Sequence, residues 1–256
     1  MGKIALSIGP FHVYWYGMVI ALAVVSAIAS GIFQAKLRGQ QTERIVDIAL
    51  YGVPVAVICA RIYYVITNWT LYAEQPGEMF FLWHGGLSFA GAVFGLLLTI
   101  ILYSKWEKIS FWYWADILAP GLALAQAIGV IANFVNQEAF GLPTSQPWGI
   151  YIDFNCRPAG YEQFDFFHPL FLYESLSAFL LFLLLTAVAI YQARCGRVKA
   201  GIVFLGYLIF LAMVRFILEG MYISRTDILG QLTAEQIISL LTMGICSWLV
   251  RAKIKE

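Results

Sequence analysis

Long apolar runs, separated by short polar stretches, divide the chain into seven segments. An α-helix needs about 20 residues to cross the ~30 Å hydrocarbon core of a bilayer, and each run reaches or approaches that length. The predicted limits are residues 12–33, 47–67, 87–104, 111–136, 169–192, 200–219 and 235–251. This pattern predicts an all-α, polytopic membrane protein with about seven transmembrane helices, in which residues 1–256 form a single integral membrane domain.

Composition supports this prediction and excludes several classes of function. Of the 256 residues, 61% are hydrophobic and 12% are charged, which is far too apolar for a soluble domain. The formal net charge is +1 and no basic tract is present, so nothing favours a nucleic-acid partner. The four cysteines lack CxxC spacing, and the chain has neither a metal-ligand cluster nor a nucleotide fingerprint. We therefore expect no metal and no organic cofactor.

The basic residues between the segments predict the orientation in the membrane. Cytoplasmic loops carry the excess of Lys and Arg. Eleven basic residues fall on one side, namely Lys36, Arg38, Arg44, Lys105, Lys108, Arg194, Arg197, Lys199, Arg251, Lys253 and Lys255. The other side has Lys3, Arg157 and Arg225. We therefore predict that the N-terminus is outside and the C-terminus is in the cytoplasm.

Several amide and carboxylate side chains occur close together in the sequence where the fourth segment is predicted to leave the membrane. On a helix, four residues at three- and four-residue spacings share one face, and two more follow it. The six are Gln126, Gly129, Asn133, Asn136, Glu138 and Gly141. Polar groups at that depth are costly unless they face a cavity or a partner. Two interpretations remain open, a functional site and a seam of hydrogen bonds between helices.

Ionisable residues also lie inside other predicted spans. Arg61 lies in the outer half of the second span, where it is either part of a site or able to reach the membrane surface. Glu174, about a turn and a half into the fifth span, needs a partner, and Arg61 and Arg215 are both available. Arg215 and Glu219 are four residues apart in the sixth span, which also permits an ordinary intrahelical pair.

The longest loop, residues 137–168, is rich in aromatic residues and proline. Loops of this length inside a compact protein usually have a structure of their own. We predict a small folded external cap that ends at His168, with Pro169 suited to the first turn of the next helix.

Five ordered motifs resemble those of the bacterial prolipoprotein diacylglyceryl transferase family. The signature of that family is Gly-Arg-x-Gly-Asn-Phe-x-Asn-x-Glu-x-x-Gly, and residues 129–141 here are Gly-Val-Ile-Ala-Asn-Phe-Val-Asn-Gln-Glu-Ala-Phe-Gly. The other four are Gly9-Pro10 followed by Trp15-Tyr16-Gly17, Trp83-His-Gly85-Gly86-Leu-Ser-Phe, His168-Pro-Leu-Phe-Leu-Tyr-Glu174 and Arg215-Phe-Ile-Leu-Glu219. The resemblance extends over nearly the whole chain.

This resemblance implies a multi-pass protein of the bacterial cytoplasmic membrane. Its expected reaction transfers the diacylglyceryl group of phosphatidylglycerol to the lipobox cysteine of a prolipoprotein signal peptide, which gives a thioether and glycerol phosphate. The catalytic residues implied are Tyr16, Asn133, Glu138, Arg215 and Glu219. The residues implied in substrate or lipid binding are Arg61, Gly85, Gly86, Asn136, Gly141, Arg157, His168 and Glu174. Arginines suit the phosphate, because their planar fork binds its oxygens in pairs.

Three positions depart from the family pattern. Val130 replaces an arginine that the family treats as essential, Ala132 replaces a glycine, and Ala90 stands where members have His or Tyr. The alternative function is therefore a catalytically impaired paralogue that binds lipid or signal peptide without transfer. A transporter is less well supported, since we find no inverted repeat.

Overall fold

A computed structural model describes residues 4–8, 11–73, 75–81, 85–136, 139–195, 199–223, 227–229 and 232–255. All seven predicted spans contain a long helix. These are α1 (Trp15–Leu37), α2 (Glu43–Thr67), α4 (Phe89–Trp106), α5 (Phe111–Gly129), α7 (Leu170–Cys195), α8 (Ile202–Glu219) and α9 (Ala234–Lys255). Two short helices, α3 (Trp69–Tyr72) and α6 (Ala132–Asn136), lie between them. Six helices are long and apolar enough to cross a membrane, and α4 is a shorter apolar helix. The prediction of an all-α polytopic membrane protein is confirmed.

The described residues also form three small antiparallel pairs of strands outside the helices. Strands β1 (Ile4–Ile8) and β2 (Phe11–Tyr14) form the first pair, β3 (Ile150–Tyr151) and β4 (Phe166–Phe167) the second, and β5 (Asp227–Leu229) and β6 (Leu232–Thr233) the third. These strands were not predicted from the sequence. They explain why α1 begins at Trp15 rather than at the predicted residue 12, since residues 11–14 are extended.

The chain forms two compact units. The smaller one, Gly39–Ala115, contains α2 and α4. These helices approach so closely that a Cβ added to Gly91 would lie only 2.5 Å from the carbonyl oxygen of Cys59. At Gly95 it would lie 2.8 Å from that of Val55. The glycine spacing here therefore serves helix packing.

The larger unit combines Met1–Arg38 with Asp116–Glu256. In it, α8 packs against α9 and α7. The start of α8 is capped by a side chain from α5: Asp116, which is 2% exposed, accepts N–H groups of Gly201 at 2.7 Å and Phe204 at 2.8 Å. A helix leaves its first N–H groups without intrahelical partners, and a buried carboxylate satisfies two of them here.

The described part of the cap segment, residues 139–168, is built around one arginine. Arg157 donates through Nε to Ile152 O at 2.9 Å, through Nη1 to Glu162 O at 2.8 Å and through Nη2 to Asp165 Oδ1 at 2.8 Å. Its side chain is 5% exposed, beneath the rings of Tyr151 and Phe154. Each nitrogen of the guanidinium therefore holds the cap segment itself. A lipid contact for Arg157 stays a prediction that this arrangement does not favour.

Candidate functional site

A buried carboxylate joins three helices of the larger unit. Glu174 of α7 accepts a hydrogen bond from Gln126 Nε2 of α5 at 3.0 Å, through Oε1. Its other oxygen, Oε2, pairs with Arg215 Nη1 of α8 at 3.5 Å. Tyr207 donates its hydroxyl to Gln126 Oε1 at 3.4 Å. A buried carboxylate is stable only when donors and a counter-charge surround it, and these residues supply both.

Arg215 is the charged residue of this network whose side chain is partly exposed. The side chain of Glu174 is 8% exposed, whereas that of Arg215 is 39% exposed. The sequence left three pairings open, and the structure shows an ion pair of Arg215 with Glu174 across two helices. A guanidinium has five N–H donors, so an arginine anchored through one nitrogen keeps several for a ligand.

Tyr222, just beyond the end of α8, lies near enough to Arg215 for the two side chains to interact electrostatically. Burial raises the pKa of the Tyr222 hydroxyl, against the opposing influence of the Arg215 charge. Its hydroxyl therefore stays protonated at neutral pH and is able to donate a hydrogen bond.

The segment from Gly129 to Gly141 does not continue as one helix. It was predicted to be helical to residue 136, but a turn at residues 130–131 separates α5 from α6. Asn133 and Asn136 lie on α6, which contacts α1, and both are half-buried. The single predicted face is therefore split. Gln126 joins the Glu174 network, whereas the two asparagines belong to the separate short helix α6. Glu138 lies outside the described residues.

Gly141 closes the base of the cap segment. Its N–H donates to His168 O at 2.9 Å, and its backbone pairs with Tyr222. A Cβ at this position would lie 2.8 Å from Met221 O, so only glycine allows the approach. Gly141 thus fixes Tyr222 beside the cap segment. This packing role explains why a glycine is needed here without invoking a contact with substrate.

In the smaller unit, Arg61 has a different environment. It is 6% exposed and donates to five backbone carbonyls in residues 78–86. Nε bonds Met79 O at 2.9 Å, and Nη2 bonds Glu78 O at 2.7 Å and Phe81 O at 3.2 Å. Nη1 bonds the carbonyls of Gly85 and Gly86. All five N–H groups are thus used within the protein.

Comparison with known proteins adds to this geometry. A family model described as prolipoprotein diacylglyceryl transferase matches residues 3–251. A phosphatidylglycerol–prolipoprotein diacylglyceryl transferase from Listeria monocytogenes serotype 4a is 41% identical over 245 residues, covering 94% of this chain and 86% of the relative. One from Trichormus variabilis is 38% identical over 256 residues, covering 97% and 89%. The chain belongs to the prolipoprotein diacylglyceryl transferase family. These names favour an enzyme over the impaired paralogue.

Three further residues of the family motifs, His168, Glu219 and Tyr16, lie at or beside helix ends in the larger unit. His168 precedes α7 and shares a hydrogen bond of 3.0 Å between Nδ1 and the Tyr173 hydroxyl. That hydroxyl also accepts the Trp148 Nε1–H at 2.8 Å. Glu219 is half-buried in the last turn of α8, and Tyr16 is exposed in the first turn of α1. Their roles stay predictions.

Two residues beside the Glu174 network, Tyr207 and Tyr222, were not predicted from the sequence. Tyr207 lies eight residues before Arg215, which places both on one face of α8. That spacing was a usable signal. Tyr222 carried none, because its position depends on how the chain turns after the helix ends at Glu219.

Proposed function

We propose that the chain transfers the diacylglyceryl group of phosphatidylglycerol to the cysteine thiol of a prolipoprotein signal peptide. The observation that carries this proposal is the partly open guanidinium of Arg215, which is anchored on buried Glu174 at 3.5 Å. An arginine held in this way is suited to bind and neutralise a lipid phosphate. The names of the relatives support the same substrates.

The reaction replaces one bond by another at a carbon of the glyceryl group. The cysteine sulfur attacks as a thiolate and forms the thioether, while the bond from that carbon to the phosphate oxygen breaks. The phosphate leaves with the electron pair as glycerol phosphate, and Arg215 stabilises its charge. The thiol proton passes to a base, for which Glu138 and Glu219 are the candidates. Tyr16 and Asn133 complete the proposed catalytic set.

The proposed orientation places the cap segment and the end of α8 outside the cytoplasm. Eleven of the basic residues outside the spans then face the cytoplasm, in agreement with the positive-inside rule. The lipid phosphate and the lipobox cysteine both meet the protein at this outer boundary of the membrane. The signal peptide itself approaches from within the bilayer.

Arginine replacement provides a direct test. The purified protein is incubated in phosphatidylglycerol vesicles with a lipobox peptide, and the thioether product is quantified by mass spectrometry. Loss of a charge-assisted contact of ~1.5–3 kcal/mol should lower kcat/KM of Arg215→Ala by roughly one to two decades. Arg194→Ala, an exposed arginine at the opposite end of α7, is the matched control and should behave like the parent. No product from the parent, or an unchanged rate for Arg215→Ala, would contradict the proposal.

A further inference from the structure

Three side chains form a chain of hydrogen bonds where the cap segment meets the start of α7. Trp148 Nε1 donates to the Tyr173 hydroxyl at 2.8 Å, and that hydroxyl lies 3.0 Å from Nδ1 of His168. Trp148 belongs to the cap segment, whereas the first turn of α7 separates His168 from Tyr173. The reaction as described above gives no role to Trp148 or Tyr173.

The backbone holds the two aromatic residues in place. Residues 146–149 form a β-turn, in which the last N–H donates to the first carbonyl at 3.0 Å. Proline at the second position and glycine at the fourth favour this turn, and Trp148 occupies the third position. Tyr173 N–H donates to Pro169 O at 3.2 Å, so the first turn of α7 brings the phenol back toward the residue before the helix.

The donors decide where the protons of this chain lie. An indole nitrogen donates but does not accept, so the Tyr173 oxygen is the acceptor of the bond from Trp148. The phenol has one proton of its own, and Nδ1 of His168 accepts it. If Nδ1 carried a proton instead, the Tyr173 O–H would have no protein acceptor among the described residues. The arrangement therefore favours a neutral ring with its proton on Nε2.

The Nε2 side of the His168 ring is the side that remains for a ligand. Within the described ranges Nε2 has no hydrogen-bond partner, and the residue is half-buried. The N–H of His168 donates to Leu142 O at 3.1 Å, and its carbonyl accepts the Gly141 N–H at 2.9 Å. Gly141 also pairs with Tyr222, just beyond α8. His168 therefore lies at the junction of the cap segment with α7 and the end of α8, the helix that carries Arg215.

We propose that Trp148 and Tyr173 are positioning residues that keep His168 as a neutral hydrogen-bond donor to a substrate oxygen. The inference rests on the proposed function and adds a donor to its site. The acceptor is an oxygen of the lipid, in its phosphate or ester group, or a carbonyl oxygen of the peptide. A ring in this tautomer presents an N–H to the substrate and no bare nitrogen, so His168 does not take the thiol proton.

Nitrogen NMR tests the tautomer without any measurement of activity. The chain has three histidines, so protein labelled with nitrogen-15 histidine gives few ring signals, and His168→Gln assigns those of His168. At about pH 8.5, where free imidazole is neutral, the protonated nitrogen should be Nε2, which couples to both carbon-bound ring protons. Tyr173→Phe should shift the Nδ1 signal, and Trp148→Phe should shift it less. Tyr191→Phe, an exposed tyrosine at the other end of α7, is the matched control and should leave it unchanged. A ring proton on Nδ1 in the parent would overturn the proposal.

Two substitutions of His168 test the donor role. The side-chain nitrogen of Gln lies near the position of Nε2, whereas that of Asn lies near the position of Nδ1. His168→Gln should therefore keep kcat/KM within about threefold of the parent, and His168→Asn should lose about tenfold, as expected for one hydrogen bond. The KM values for phosphatidylglycerol and for the lipobox peptide are measured separately, and the KM that rises in His168→Asn identifies the substrate that provides the oxygen.

The two measurements separate the positioning role from the proposed reaction. Equal losses of kcat/KM in folded His168→Gln and His168→Asn proteins would refute the donor role. A parent protein that shows the expected tautomer, and the expected response to Tyr173→Phe, but transfers nothing would refute the proposed reaction and support the positioning by Trp148 and Tyr173.

Discussion

The five hydrogen bonds of Arg61 predict that this residue positions a loop and does not bind lipid phosphate. Replacement by methionine keeps much of the side-chain volume and leaves five carbonyls of residues 78–86 without their donor. An unpaired buried acceptor costs ~1–3 kcal/mol, but some of these carbonyls regain water when the loop moves. We therefore expect Arg61→Met to lower the free energy of unfolding by about 3–5 kcal/mol.

Thermal unfolding in detergent and limited proteolysis measure this effect. The midpoint should fall on the order of 10 °C, and the loop should become a cleavage site. Arg44→Met is the matched control, since Arg44 Nε donates to Gln41 Oε1 at 3.1 Å in an exposed bond worth at most about 1 kcal/mol. Arg61→Lys keeps the charge but not the five-donor fork, so it should lose stability as well. A stable Arg61→Met protein that has lost phosphatidylglycerol binding would refute the positioning role.

Three further predictions concern other parts of the chain. Val130→Arg restores the family arginine and should raise the transfer rate by roughly one to two decades; a folded variant with no gain in product would contradict this. Arg157→Met removes the three hydrogen bonds that hold the cap segment, so proteolysis within residues 139–168 should accelerate while the helices stay protected. Both Cys156 and Cys195 are exposed, and in intact cells an impermeant maleimide should label only Cys156; the opposite pattern would reverse the proposed orientation.

The sequence predicted the seven long helices because their signal is long and local. A continuous apolar run of about 20 residues carries that signal by itself. The break at residues 130–131 was not predicted, since Val130 and Ile131 are as apolar as the helix before them. The strands β3 and β4 were missed for another reason. Each has two residues, and their pairing joins positions 150 and 167, which no local pattern relates.

The candidate site was only partly predictable for a related reason. Intramembrane charge indicated that Glu174 needed a cation, but the sequence offered both Arg61 and Arg215. Packing decided between them, because the carbonyls of residues 78–86 occupy Arg61 and leave Arg215 for Glu174. Every residue has a backbone carbonyl, so the sequence does not show which carbonyls a side chain will bind.

The bond between Asp116 and the start of α8 has a consequence for biosynthesis. Gly201 follows Asp116 by 85 residues, so the N–H donors do not exist when α5 first reaches the membrane. At ~5–20 residues per second, the ribosome needs roughly 4–17 s to supply them. During that interval a carboxylate in lipid would cost several kcal/mol. We therefore expect α5 to stay beside the insertion machinery until α8 arrives, so that the helices of the larger unit enter the lipid as a group.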